Sequence, residues 1–212
     1  MTFDFKKAYS EYYLPPRNPG LIELPEMRFV AVWGEGDPNA PGGAYQTALE
    51  LLYGVAYTLR MSPRMGRAIE GYFPYVVPPL EGLWEQKGVD GIDYARKADF
   101  HWISMIRLPD FVARADFDWA VEAAAEKKGM DFSPVEYYSY HEGLCAQCMH
   151  LGSYDSEPET LRRILEFVET QGCAPDYSGE RKHHEIYLSD PRRTKEEKRK
   201  TVLRIPVRRK QA

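Results

Sequence analysis

The 212-residue chain carries 28 Lys and Arg against 32 Asp and Glu, a net charge of -4, so it offers no strong field to nucleic acid or an anionic membrane. Its 43% hydrophobic and 28% charged residues are those of an ordinary globular protein, and no window reaches the roughly 20 apolar residues of a membrane helix. Three cysteines make no disulfide framework and fit a reducing compartment, and the first residues lack the apolar run of a signal peptide, so a cytoplasmic location is expected.

Residues 1–20 are polar and aromatic and end in Pro15-Pro16-Arg17-Asn18-Pro19-Gly20, which predicts an extended lead-in. The domain proper is expected over 21–212. Met27 to Trp33 reads as a strand stopped at Gly34, and Tyr45, Ala48, Leu49, Leu52, Ala56 and Leu59 then mark one face of a helix. Pro79 to Trp84 and His101 to Arg107 look like two further strands, completing a first unit of about 26–110. A charged stretch of about 113–129 reads as a linker helix ending at Gly129.

The same order then returns over about 134–208. Cys145 to Leu151 is a strand that breaks at Gly152, and Ser156 with Glu159 has the spacing of a capping box. Leu161, Ile164, Leu165 and Val168 line a helix that Gly172 ends. Strands follow at His183–Leu188 and Thr201–Val207, joined by a charged hairpin. The expected fold class is therefore α+β: a duplicated strand–helix–strand–strand unit with antiparallel sheets, paired about a pseudo-twofold axis around a central cleft. In that register Glu81 is the rough counterpart of Glu185.

The aromatic content is 13%, with 15 Tyr and 4 Trp, which suits either a Tyr-rich core or a pocket of flat rings. Cys145, Cys148 and His150 could supply zinc ligands, with Cys173, His183 and His184 to complete a set. Residues three apart on a strand face opposite sides, however, so no metal site and no cofactor is expected. The basic run around Arg192–Lys200 is interrupted by Glu196 and Glu197 and reads as a solvated hairpin tip, and no helix-turn-helix pattern is evident. GxxxxGK[ST], GxSxG and HExxH are absent. On the strand His183–Leu188, alternation puts His183, Glu185 and Tyr187 on one face and His184, Ile186 and Leu188 on the other, with at least one histidine expected at the surface. Parity alone leaves open whether Glu185 faces a cleft or solvent.

The stretches MHLGSYDSEPETLRRILEFVETQG, HHEIYLSDP and TVLRIPV resemble the GyrI-like small-molecule-binding domain. VVPPLEGLWE and ADFHWISMIRLP resemble its stand-alone, full-length branch, and together the likeness covers about Leu21 to Val207. The resemblance implies an aromatic cleft holding a glutamate from the penultimate strand of the second half, the position of Glu185. Some members of that family are effector domains fused to DNA-binding regions, which this sequence does not display. The stand-alone branch includes hydrolases of cyclopropane-containing genotoxic natural products, and so implies a role in self-protection or detoxification.

On that reading the ligand is a planar aromatic small molecule, with no direct nucleic-acid or membrane partner. Glu185 is the expected general base, its pKa raised by burial, and a tyrosine hydroxyl, Tyr137 or Tyr187, the oxyanion donor. Trp84, Trp102, Met105, Cys148, His150, Tyr154 and Tyr187 are the expected ligand contacts. The alternative is a non-catalytic drug-binding or sequestering module, or a restraint on a protein partner such as DNA gyrase.

Overall fold

The computed structural model describes residues 2–89 and 91–210. Strands β1 (Phe3–Asp4) and β3 (Tyr75–Val76) form a small parallel pair. Between them lie helices α1 (Phe5–Ala8) and α2 (Ser10–Tyr13), strand β2 (Gly20–Glu35) and helix α3 (Ala44–Met61). Then come β4 (Leu80–Gln86), β5 (Phe100–Arg107), α4 (Arg114–Lys128), β6 (Glu136–Leu151) and α5 (Glu157–Thr170). The chain finishes with β7 (Cys173–Pro175), β8 (His183–Tyr187) and β9 (Lys200–Arg209). Neighbours pair antiparallel in the order β6-β2-β5-β4-β8-β9, and β6 also pairs with β9. Among the described residues the sheet thus closes into a six-stranded barrel, with β7 added along β9.

Closure gives every strand an inner and an outer face, and period-two alternation sorts the residues between them. On β5, Ile103 and Met105 point inward with Leu83, Phe29 and Tyr140, while Trp102 and Ile106 point outward beneath α3. The outer layer under α3 holds Leu52, Val55 and Leu59, with α4 contributing Phe117. Under α5, Leu161, Ile164 and Val168 cover Cys148 and Leu203. Gly34 is set across from Trp102, and a Cβ there would stand 2.2 Å from the indole, so only glycine lets the ring lie flat on β2.

Two segments differ from the sequence expectation. Residues 1–20 are not extended throughout: α1 and α2 form single turns, and Phe5 and Tyr13 are buried against Ile186 and Val202. Strand β6 begins at Glu136, well before Cys145. Gly143 has φ 69°, which shifts the alternation by one, so that Glu142 and Cys145 both serve the barrel interior.

That interior is charged as well as apolar. Glu142 accepts from Arg204 Nη1 at 2.9 Å and lies 3.0 Å from His184 Nδ1. His184 Nε2 stands 3.0 Å from Glu81, out of line for a hydrogen bond, and the Tyr13 hydroxyl donates to Glu81 at 3.2 Å. Arg204 and Gln147 also donate to the backbone carbonyls of Tyr12 and Glu11, so the N-terminal segment stoppers the barrel through this cluster. Burial pushes the Glu142 carboxyl up, but His184 and Arg204 outweigh it and hold the pKa at about 2.

Candidate functional site

The outer face of β4 and β8 lies open beneath one side of α3. It forms the floor of a cleft of about 1330 Å³, bounded by α3, the start of α5 and the segments 92–100 and 188–192. Parity on β8 places His183, Glu185 and Tyr187 on this floor, in register with Trp84, Gly82 and Leu80. His184 and Ile186 point into the barrel. Glu81 pairs with Ile186 and shares that inward face, so Glu81 and Glu185 lie on opposite sides of the sheet. Both histidines are buried, where one was expected at the surface.

Glu185 is 7% exposed, and its two oxygens are separately occupied. Oε2 accepts the Tyr187 hydroxyl at 2.7 Å, and Oε1 lies 3.1 Å from His183 Nε2. Tyr187 in turn accepts the indole N–H of Trp84 at 3.0 Å. The donors Trp84, Tyr187 and His183 fix the carboxylate's orientation, so it meets a ligand without first paying to order its own side chain. Burial, then the Glu185 charge, pushes the Tyr187 hydroxyl well above its ordinary pKa, so it remains a neutral donor.

A second acid faces the first. Glu157 opens α5, is fully buried, and accepts the Tyr94 hydroxyl at 3.3 Å on Oε2. Burial, followed by the Glu185 charge, pushes its pKa well above the usual carboxylate range. Like charges sharing a dry site do not both ionise readily, so burial and the neighbouring acid favour the protonated form of Glu157. The capping box expected at Ser156 and Glu159 does not form. The Ser156 hydroxyl instead donates to the Ser153 carbonyl at 2.7 Å, and the helix begins at Glu157 itself.

The walls are aromatic. The ring of Tyr45 lies 5.6 Å from that of Trp84 at 33°, and Tyr154 meets Tyr187 edge-on at 6.0 Å. Tyr94 is held from behind, because Gln86 bonds the backbone of both Asp93 and Arg96 and fixes the loop between them. His150 plays the same part for Tyr154. Its Nε2 lies 3.0 Å from the Ser153 carbonyl and so carries the proton, leaving Nδ1 to accept the Thr160 hydroxyl at 2.8 Å.

Glu185, Trp84, Tyr154 and Tyr187 thus line one cleft. Trp102 lies a layer deeper, 2% exposed and edge-on to Tyr45 at 5.1 Å. His150 stands behind the turn that carries Tyr154. Met105 is inside the barrel and Cys148 beneath α5, each away from the cleft lining. Tyr137 packs on Phe117 and donates to the Val112 carbonyl at 3.0 Å, so its hydroxyl is engaged outside the cleft. Cys145 faces the barrel and Cys148 the α5 side, and among the described residues no three His, Cys, Asp or Glu converge as a metal set.

Tyr94 and Glu157 were not singled out by sequence reasoning, and His183 was named only as a possible zinc ligand and for sharing a strand face with Glu185. An acid in a helix's first turn is commonplace, so Glu157 carried no signal beyond the dipole preference.

The model of the GyrI-like small molecule binding domain family matches residues 17–208, and the chain belongs to that family. Among solved structures it resembles a hydrolase from Listeria innocua at 42% identity and TM-score 0.87, over 98% of this chain and 100% of the other. An uncharacterized conserved protein from the same organism matches at 44% identity and TM-score 0.90, with the same coverage. The C-terminal domain of EcmrR shares the fold at 12% identity and TM-score 0.55, over 91% of this chain and 98% of that domain. No curated protein sequence matches the chain. Among the described residues no helix is long and apolar enough to cross a membrane.

Proposed function

We propose that this protein is a hydrolase that opens the strained ring of cyclopropane-bearing, planar electrophiles, and so detoxifies them in the cytoplasm. The observation that carries the reading is the pair of buried acids, Glu185 and Glu157, in one cleft walled by tyrosine and tryptophan. The Listeria hydrolase at 42% identity supports hydrolysis as the reaction class.

In this mechanism the planar substrate stacks on the aromatic wall that Tyr45, Trp84 and Tyr154 present to the cleft. Glu185 takes a proton from a water as the water oxygen bonds to a ring carbon. The carbon–carbon bond breaks, and its electron pair passes into the conjugated carbonyl. Glu157 then gives its proton to that oxygen, so water is consumed whole and the product is a neutral alcohol. Tyr94, bonded to Glu157, steadies the donor, and Tyr187 steadies the base. Glu157 thus takes the oxyanion-donor place expected of Tyr137 or Tyr187. The two halves of the chain, we further propose, are related by a pseudo-twofold axis. In support, β2–β5 pairing has its counterpart in β6–β9 and β4–β5 in β8–β9, while β2–β6 and β4–β8 join the halves.

The test is Glu185→Gln, which keeps size and hydrogen-bonding reach but cannot act as base. Turnover of a cyclopropane-bearing alkylator should fall ~100-fold or more, with a much smaller change in its binding. Unchanged turnover by the Gln variant would refute the assignment. An open cleft of about 1330 Å³ also suits a sequestering module for planar drugs. Wild-type protein that saturates at one ligand per chain, with no product, would establish that reading instead.

A further inference from the structure

The N-terminal stopper is held to the barrel by charge as well as by packing. Arg204, 1% exposed, commits all three of its nitrogens to the attachment. Nη1 donates to Glu142 at 2.9 Å, Nε to Gln147 at 3.0 Å and Nη2 to the Tyr12 carbonyl at 2.8 Å. Gln147 extends the hold by donating to the Glu11 carbonyl at 2.7 Å. On the other side Tyr13 donates to Glu81 at 3.2 Å, and the Arg107 guanidinium lies against the rings of Tyr9 and Phe5 at 4.3 and 5.3 Å.

His184 stands between the two acids of this arrangement. Its Nδ1 lies 3.0 Å from Glu142 and its Nε2 3.0 Å from Glu81, and all three side chains are buried. A neutral imidazole has one N–H, so one carboxylate would face a lone pair; a second proton turns both nitrogens into donors. The ionisable groups around the ring are Glu81 on β4, Arg107 on β5, Glu142, Tyr140 and Cys145 on β6, Arg204 on β9 and Tyr13 on α2. Burial pushes Tyr13, Tyr140 and Cys145 up, so these three stay neutral. Asp110 matches Arg107, which leaves Glu81 and Glu142 to Arg204 and His184. Burial alone would lower the His184 pKa, but Glu142 and Glu81 outweigh it and raise it.

We infer that His184 is a proton-operated latch for the N-terminal stopper, which is seated while the ring carries two protons and released when one leaves. Loss of that proton leaves two carboxylates to Arg204 alone. Arg204 bonds Glu142, so Glu81 is the acid left uncompensated, and a buried charge without a partner is costly until water reaches it. Glu81 is 2% exposed beneath Tyr13, so water reaches it when α2 lifts away. Release uncovers Ile186 and Val202, which Phe5 and Tyr13 bury. Ile186 sits on β8 between Glu185 and Tyr187, so the stopper and the cleft floor share one strand. The latch does not depend on what the cleft binds or whether it turns a ligand over.

The experiment is hydrogen exchange of the full chain, read by mass spectrometry between pH 6 and pH 9 and corrected for the intrinsic pH dependence of exchange. The amides of Phe3, Tyr9, Tyr12, Tyr13 and Leu14 are hydrogen-bonded in the seated stopper and report its release. A raised histidine pKa gives stability that is present below the unfolded value near 6.5 and lost as pH rises through the folded one. Protection of these amides should therefore fall by up to ~10-fold per pH unit in that window, while α3 keeps its protection. Glu81→Gln removes the acid left uncompensated and still accepts from Tyr13, so its stopper should stay seated at pH 9. His184→Gln cannot take a second proton, and its stopper should show no pH dependence; if that variant does not fold, Glu81→Gln decides alone. Wild-type protection that ignores pH would overturn the inference. So would a Glu81→Gln or His184→Gln stopper as pH-sensitive as wild type, or loss of protection in α3 and the stopper together.

Discussion

Replacing Glu142 with Gln isolates the charge at the centre of the barrel without changing its volume. The carboxylate accepts from Arg204 at 2.9 Å, lies 3.0 and 3.1 Å from His184 Nδ1, and is 1% exposed. Its pKa of about 2 lies below the ordinary 4.5, despite the burial that would raise it. At about 1.4 kcal/mol per pKa unit that depression corresponds to about 3 kcal/mol of ionisation-linked stability. Removing one partner of a buried pair costs about 3–5 kcal/mol, in the same range, because Arg204 is left uncompensated. In a chain of this size that lowers Tm by roughly 6–20 °C. The sign with pH is definite. A depressed carboxyl stabilises the fold above its unfolded pKa, and that stability is lost as pH falls toward about 2. Urea unfolding of wild type and variant at pH 7 and pH 3.5 should therefore show a wide gap at neutrality and a narrower one in acid. A gap that does not change with pH would refute the reasoning, since it would place the cost in shape rather than charge.

Glu157→Gln should act in the opposite direction. A buried acid with a raised pKa gives stability that is present below its unfolded value and lost as pH climbs toward the folded one, by up to ~1.4 kcal/mol per pH unit. The Gln variant should gain on wild type between pH 5 and pH 8 in thermal melts, and an equal difference at both would mean that Glu157 is ionised in the fold. For fluorescence, Trp84→Leu should remove most of the quenching by a planar ligand while Trp102→Phe preserves it, because only the first indole lines the cleft. Loss of the signal in the Trp102 variant alone would put the ligand on the wrong layer.

The barrel strands were legible because alternation and glycine stops are local. Gly152 follows the last residue of β6 as the sequence predicts and Gly129 ends α4 in the left-handed region, whereas Gly34, read as a strand stop, stays paired with Trp102 in a strand that runs to Glu35. The early part of β6 was not legible. Its aromatic alternation through Tyr138 and Tyr140 is out of phase with Cys145 and Gln147, and only the φ of Gly143 reconciles them. The N-terminal segment misled for a different reason. Its prolines begin at Pro15, after the residues that matter, and its anchorage rests on carbonyls accepting from Gln147 and Arg204, which no pattern of side chains announces.

The site was half legible for the same physical reason. Period two on β8 separates Glu185 from His184 without saying what each side meets, and here one side is the sealed barrel interior and the other the floor of the cleft. Each side chain therefore needs its own partners. Glu185 finds them in Tyr187 and His183, and His184 in Glu142 and Glu81, from strands far apart in sequence. The two clusters are adjacent along one backbone yet face different chemistry: one secures the N-terminal stopper, the other meets the ligand. A loss of activity at either residue is then ambiguous until stability is measured beside it. Glu142→Gln and Glu185→Gln resolve the ambiguity together, because the first should lower stability and spare the cleft, and the second should spare the fold and silence the cleft.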